Sequence, residues 1–137
     1  MVTLEAILER NNLNRAYKQV KANRGGPGVD GMTVDEFLDY LRAHAVEIVE
    51  TVKAGKYKPQ PVRRVMIPKE EKGKFRPLGI PTAVDRVIQQ AIAQKLSDEY
   101  EPVFSLHSHG FRPCRSCRTA IDEALDIANQ GYVWVVD

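Results

Sequence analysis

A chain of 137 residues, with 43% apolar residues and a net charge of only +2, has the length and composition of one folded domain with its own core. No apolar run approaches the length of a bilayer span, and Glu5 stands where a secretory signal would be basic, so we expect a cytoplasmic protein without a membrane segment. The two cysteines, Cys114 and Cys117, lie too close together to staple a fold and indicate no oxidising compartment.

The charge is distributed unevenly along the chain. Residues 51–80 contain nine basic and two acidic residues, a net charge of +7, which leaves −5 for the rest of the chain. A basic segment in a mildly acidic body favours the binding of a polyanion. A solvated, lysine-rich hairpin is the alternative that composition leaves open.

Apolar residues at helical spacing predict a first helix over residues 4–22, which Asn11 and Asn12 could interrupt. Thr3 is its expected N-cap. The glycines and proline of residues 24–31 then exclude both helix and strand.

A capping box of Thr33 and Glu36 predicts the start of a second helix, and Gly55 predicts its end. We expect this helix to bury one stripe of apolar residues. They are Phe37, Leu38, Leu41, Val46, Ile48, Val49 and Val52.

Two apolar runs, at 62–67 and 75–80, flank a charged turn at 69–74 and predict a β-hairpin. Residues 57–61, which lead into it, must be extended because residues that precede proline avoid the helical region.

Thr82 and Asp85 predict the start of a third helix, which ends before Pro102. Its apolar stripe runs from Val84 to Tyr100. Residues 104–113 form a loop.

Ser116 caps a fourth predicted helix over 119–129, and the apolar run at 132–137 predicts a buried strand. The elements together predict an α+β fold. This strand either closes a sheet with the hairpin or belongs to a longer protein. We expect the second, because a domain seldom ends on a buried strand. The predicted inner face of the fourth helix comprises Ala120, Ile121, Ala124, Leu125 and Ala128.

Five segments, in this order and at this spacing, resemble the reverse transcriptase and maturase family of group II introns. They are NRGGPGVDG (23–31), YKPQPVRRVMIPK (57–69), RPLGIPTAVDRVIQQAI (76–92), SHGFRPCRS (108–116) and YVWVVD (132–137). The resemblance implies that residues 1–131 are the mostly helical amino-terminal extension and fingers of a right-hand polymerase, with a basic β-hairpin. Residues 132–137 would then be the first strand of the palm.

The resemblance assigns Lys69 and Arg76 to the triphosphate of the incoming nucleotide. Lysine supplies a point charge and arginine a two-pronged donor, which suits phosphate groups. The alternative is that Lys69 is an ordinary turn lysine, which Lys72 or Lys74 could replace.

The glycine-rich loop resembles a lid over the template strand, in which bare backbone N–H groups can approach phosphates closely. Its expected template-binding residues are Asn23, Arg24, Gly25, Gly26 and Gly28. We expect residues 25–28 to be mobile without nucleic acid. An ordinary linker between helices is the alternative.

Four further residues are expected at the template: Arg63, Arg86, Phe111 and Arg112. Arg63 and Arg64 alternate on a strand, so only one of them faces nucleic acid. Arg86 could instead form an ion pair with Asp85. Phe111 could be a core residue and Arg112 a buried strut.

His107, His109, Cys114 and Cys117 are residue types that bind zinc. The His-x-His spacing is atypical of zinc sites, and the intervening residues match a family loop that needs no metal. We therefore expect no metal here.

Asp137 matches the first aspartate of the family's Asp-x-Asp motif, whose second aspartate is the metal ligand. We therefore expect Mg²⁺ in the full-length enzyme but none in this chain, which should bind nucleic acid without polymerising. The implied partners are template RNA (group II intron RNA), a DNA primer and deoxynucleoside triphosphates, with self-association left open. The alternatives are an RNA-binding module for intron recognition only and an unrelated zinc-stabilised adaptor.

Overall fold

A computed structural model describes residues 1–134, which form five α-helices and one antiparallel hairpin. The predicted α+β class is therefore confirmed. Residues 135–137 lie outside the described residues. They include Asp137 and the second half of the predicted strand 132–137. Residues 132–134 are described and have no regular secondary structure.

The elements follow the predicted order. They are α1 (Leu4–Ile7), α2 (Arg10–Ala22), α3 (Phe37–Lys53), β1 (Arg63–Pro68), β2 (Phe75–Ile80), α4 (Ala83–Tyr100), a 3₁₀ turn (Glu101–Val103) and α5 (Cys117–Asn129). None of these described helices combines the length and apolar character needed to cross a membrane.

The chain packs as two compact units, Met1–Ser97 and Asp98–Asp137. The first unit contains α1 to α3, the hairpin and most of α4. The second contains the last residues of α4, the 3₁₀ turn and the whole of α5. The division after residue 131, which the resemblance implies, stays a prediction.

The first predicted helix is interrupted at Leu8 and Glu9 rather than at the two asparagines. Asn12 is buried within α2, where its amide group donates to the Ile7 carbonyl at 2.8 Å and to the Ala91 carbonyl at 2.9 Å. The side chain thus satisfies a carbonyl left unpaired at the end of α1 and connects α2 to α4. The predicted Thr3 cap is confirmed by its bond from Ala6 N, at 3.2 Å.

The core of the first unit lies where α2, α3 and α4 meet. Phe37 is its largest member and is completely buried. The buried residues that α2 and α4 contribute to this core are alanines and valines. The buried core comprises Ala16, Val20, Phe37, Ala83, Val87 and Ala91.

Two predicted apolar faces are only partly right. Val46 of α3 is 78% exposed, although its spacing placed it in the buried stripe. Ile121 and Leu125 of α5 are 59% and 56% exposed, and no described residue of α5 is buried. Periodicity identifies an apolar face but does not show how far another element covers it.

The predicted capping box before α3 is confirmed. The Glu36 carboxylate accepts from Thr33 N at 2.9 Å, and Thr33 Oγ1 accepts from Glu36 N at 3.3 Å. The bonds that this carboxylate accepts from the backbone N–H and from the hydroxyl of Thr33 lower the pKa of Glu36 below its ordinary value. Gly55, at φ +66°, follows the last turn of α3 and ends the helix as predicted.

The predicted hairpin is confirmed, with β1 and β2 antiparallel. Arg63 pairs with Ile80, and Ile67 pairs with Arg76. Because directly paired residues share a face, Arg63 and Arg76 lie on the same face of the hairpin, and Arg64 lies on the other.

Candidate nucleic-acid interface

The glycine-rich loop is fixed to the start of α4 at Gly28. This glycine is buried, and a Cβ placed on it would lie 2.7 Å from Thr82 Cα and 2.8 Å from Thr82 N. Only glycine permits so close an approach of two backbone segments. The Gly28 end of the loop is thus packed against α4, and the mobility expected of residues 25–28 without nucleic acid stays a prediction.

The carboxylate of Asp85 fixes the start of the basic segment to α4. It is 3% exposed and accepts from Tyr57 Oη at 2.7 Å, Thr82 Oγ1 at 2.6 Å and Gln60 N at 3.2 Å. Burial and the bond to Asp85 raise the pKa of Tyr57. These three donors bind both oxygens of Asp85, whereas Arg86 Nε and Nη2 have no hydrogen-bond partner among the described residues, so neither atom forms the ion pair with Asp85 that was considered from the sequence.

We expect Asp85→Asn to destabilise the first unit by about 1.5–3 kcal/mol, the usual scale for hydrogen bonds to a charged group. An amide cannot accept at both of its terminal atoms, so at least one donor is left unpaired. Thermal and urea unfolding measure this loss. Asp39→Asn is the control, because that carboxylate is 81% exposed and its substitution should change stability by less than about 1 kcal/mol. Equal losses in both variants would contradict the role of Asp85.

Two arginines lie directly against the glycine-rich loop. A Cβ on Gly26 would lie 3.3 Å from Arg63 Nη2, and a Cβ on Gly25 would overlap Arg86 Nη1. The fold thus brings together three segments that are distant in sequence, namely the loop, the start of β1 and the first turn of α4. All of them carry residues predicted to contact the template.

The residues before these glycines complete the loop's first turn. Asn23 is the C-cap of α2, and its side-chain oxygen accepts from Gln19 at 3.1 Å. Arg24 adopts φ +46°, a conformation that costs a non-glycine residue roughly 1 kcal/mol or more, and it is exposed. The structure therefore places both predicted residues beside the loop.

Lys69 and Arg76 lie near each other at the turn of the hairpin. The backbone N–H of Lys69 donates to the Lys74 carbonyl at 2.8 Å, which continues the pairing of the strands by one step. Lys69 and Arg76 are then diagonal neighbours, on the face that carries Arg63, and both are exposed. The Lys74 ammonium forms an ion pair with Glu71.

Phe111 is fully exposed and adopts φ +57°. The alternative that Phe111 is a core residue is therefore wrong. The exposed ring is compatible with stacking on a base, which stays a prediction.

The guanidinium of Arg112 donates hydrogen bonds to other residues of the second unit. It donates to the Glu101 carboxylate at 2.8 Å and to the carbonyls of Ser105 and Ser108 at 2.6 and 2.8 Å. It also lies over the Phe104 ring, 5.3 Å from its centroid. With a side chain only 7% exposed, Arg112 has the strut role that the sequence left open, and we remove it from the proposed template contacts.

The two histidines considered for zinc both contact Glu123 of α5. His109 Nε2 lies 2.5 Å from one carboxylate oxygen, and His107 Nδ1 contacts the other. These bonds lower the pKa of Glu123. Cys114 and Cys117 are exposed free thiols. Sequence spacing gave no sign of the contact with Glu123, because the carboxylate comes from a different element.

Two residues with structural roles at the interface were missed from the sequence, and a third, Thr82, was predicted only as a helix cap. Tyr57 and Gln60 bind a carboxylate far along the chain, and Thr82 supplies the backbone against which Gly28 packs. The only available signal was the Thr-x-x-Asp spacing of the α4 cap, which places Thr82 beside Asp85.

Comparison with known proteins identifies homologues over most of the chain, although no family model matches it. The chain is 44% identical to the group II intron-encoded protein LtrA of Lactococcus lactis subsp. cremoris over 106 residues, which are 77% of this chain and 18% of that protein. It is 41% identical to protein YkfC of Escherichia coli over 140 residues, 98% of this chain and 36% of that protein. A putative COX1/OXI3 intron 2 protein of Saccharomyces cerevisiae is 36% identical over 109 residues, 77% of this chain and 12% of that protein. The chain thus spans at most 36% of the length of these three relatives, and by this homology it belongs to the group II intron-encoded proteins.

Proposed function

We propose that this chain is the template-RNA and incoming-nucleotide binding part, the fingers, of an RNA-directed DNA polymerase that also assists group II intron splicing. The observation that carries this proposal is the convergence of Arg63, Arg86 and the glycine-rich loop in one unit. Guanidinium groups beside exposed backbone suit the phosphates and sugars of a nucleic-acid strand.

The basic hairpin supplies the second part of the proposed function. Its segment carries a net charge of +7, and its register places Lys69 and Arg76 on the face of Arg63. A template RNA strand bound at the base of the hairpin and a triphosphate bound near its turn would then lie along one surface. Positioned cations of this kind stabilise the charge that develops during phosphoryl transfer.

The remaining partners follow from the family. Homology to an intron-encoded protein supports group II intron RNA as the natural template, and polymerisation would require a DNA primer, deoxynucleoside triphosphates and Mg²⁺. The resemblance assigns Mg²⁺ to palm carboxylates, so we propose no metal ligand within residues 1–131. This chain alone should bind RNA without extending a primer.

RNA affinity of the 137-residue chain should fall steeply with salt, because each phosphate contact releases condensed counterions. Fluorescence anisotropy of single-stranded RNAs of different sequence, at several salt concentrations, measures this dependence. Affinity that is indifferent to salt, or absent, would contradict the proposed function.

Replacing Arg63 should show whether RNA binds one defined face of the hairpin or is attracted by its positive charge in general. We expect Arg63→Gln to weaken RNA binding roughly 10- to 100-fold for all sequences, because phosphate contacts carry no sequence information. Arg64→Gln is the matched control, since it removes the same charge from the opposite face of the same strand. Equal losses in the two variants would mean that the hairpin attracts polyanions without a defined contact.

A further inference from the structure

The guanidinium of Arg86 has unused hydrogen-bonding capacity inside the first unit. Its Nε and Nη2 atoms are buried and have no hydrogen-bond partner among the described residues. Buried polar groups are nearly always paired, and a charged group without a partner is especially unfavourable. The position therefore calls for a partner that residues 1–134 do not supply.

The two unpaired atoms lie on the same edge of the guanidinium plane. Nε–H and the adjacent Nη2–H point in parallel, and this edge binds two oxygens of one carboxylate or phosphate. The third nitrogen, Nη1, lies against Gly25, whose missing Cβ leaves room for it. The loop therefore holds one end of the guanidinium, and the two-pronged edge stays unused.

Arg86 lines a cleft of about 240 Å³ that contains no acidic side chain. Its sequence neighbour Asp85 does not bind this edge of the guanidinium, and its carboxylate accepts from Tyr57, Thr82 and Gln60. The other residues that line the cleft are Val20, Asn23, Gln89, Gln90 and Ala93.

We propose that this cleft binds one phosphodiester group of an RNA strand, held through two oxygens by Arg86, and that Gly25 positions the guanidinium. The proposal rests on the proposed function and specifies how one of its contacts is made. The amide groups of Asn23, Gln89 and Gln90 supply further neutral donors. Because Nε and Nη2 are covered in the RNA-free chain, their edge must open toward the cleft as the strand binds, while Nη1 stays beside Gly25.

A phosphate suits the cleft better than the edge of a base. Guanine also offers two adjacent acceptors, but it is neutral and would leave the buried charge uncompensated. The cleft is also smaller than the roughly 300–1,000 Å³ typical of pockets that enclose a drug-sized molecule, so it suits a small group on a strand that continues outside.

The test uses the 137-residue chain and a fluorescent oligouridylate, which lacks the paired acceptors of guanine. Arg86→Gln should weaken binding at least about tenfold and reduce the slope of log affinity against log salt by about 0.7, the value for one phosphate contact on a single strand. Arg86→Lys should retain the slope but not the full affinity, because it keeps the charge and loses the two-pronged edge. Arg42→Gln is the matched control, since its side chain is 70% exposed on α3 and it should behave like the wild type.

Gly25→Ala tests the positioning role. A Cβ there overlaps Arg86 Nη1, so the substitution should weaken binding in the wild-type chain but cause no further loss in Arg86→Gln. Additive losses would show that Gly25 acts independently of Arg86. Thermal unfolding of the RNA-free chain gives a second measurement, in which Arg86→Gln should leave the melting temperature unchanged or raised, because it removes an unpaired buried charge.

The outcomes separate this inference from the proposed function. If the wild-type chain binds no RNA, both fail. If Arg63→Gln weakens binding while Arg86→Gln matches Arg42→Gln, only the phosphate site is wrong. A loss in Arg86→Gln confined to guanine-containing RNA would show base recognition and overturn the phosphate assignment. A large fall in melting temperature would show that Arg86 is structural.

Discussion

Replacing Lys69 or Arg76 by alanine should reduce the kcat/KM for nucleotides roughly 30- to 900-fold in the polymerase of which we propose this chain is a part. This loss corresponds to about 2–4 kcal/mol of transition-state stabilisation. The register makes the two residues diagonal neighbours on one face, and both are exposed. At the roughly 7–8 Å that separates the backbones of diagonal neighbours, two like charges repel by about 0.5 kcal/mol in water, and an anion between them reverses the sign. A triphosphate is the ligand whose charge best matches the pair.

The measurement is steady-state nucleotide incorporation beside primer–template affinity for each variant. Nucleotide use should fall while primer–template affinity changes little. Lys72→Ala is the control, because it removes one positive charge from the same turn outside the predicted pair. An equal loss in Lys72→Ala, or a loss confined to template affinity, would show that the turn grips polyanions in general.

Phe37→Ala should destabilise the first unit by about 3–5 kcal/mol, the usual range for removing a fully buried phenylalanine. The ring is completely buried where α2, α3 and α4 meet, and its centroid lies 6.1 Å from that of Tyr17 and 6.5 Å from that of Tyr40. For a unit of this size, such a loss lowers the melting temperature by more than about 12 °C.

Differential scanning calorimetry with chemical denaturation measures the effect. Phe75→Ala makes the same substitution at a side chain that is 56% exposed on the hairpin, and should change stability by only about 0.5 kcal/mol. If the two variants have the same melting temperature, Phe37 is not the centre of the core that the structure shows.

Local signals in the sequence predicted most of the elements, because the contacts that form them are local. The Thr33–Glu36 box, the glycine after α3 and the two runs around the charged turn each correspond to a cap, a stop or a strand pair in the structure. Contacts between distant segments could not be inferred in this way. Asn12 is an example, since asparagine at a helix end usually signals a break, whereas here its amide binds α4.

The candidate site was predictable in composition but not in arrangement. Sequence resemblance selected the glycines for close approach of their backbone to nucleic acid, whereas the close approach that the structure shows is between Gly28 and Thr82 of the same chain. The separate roles of Arg86 and Arg112 were also beyond the sequence. Both are arginines beside loops, yet one has unused donors and the other has donors bound to Glu101 and two carbonyls.

The contacts of Asp85 have a mechanical consequence for the hairpin. Gln60 precedes β1 and Thr82 follows β2, and both are bonded to this one carboxylate. Both ends of the hairpin are therefore attached at one point. We expect the hairpin to bend about this base, so that the turn with Lys69 travels farther than Arg63, which lies beside the loop.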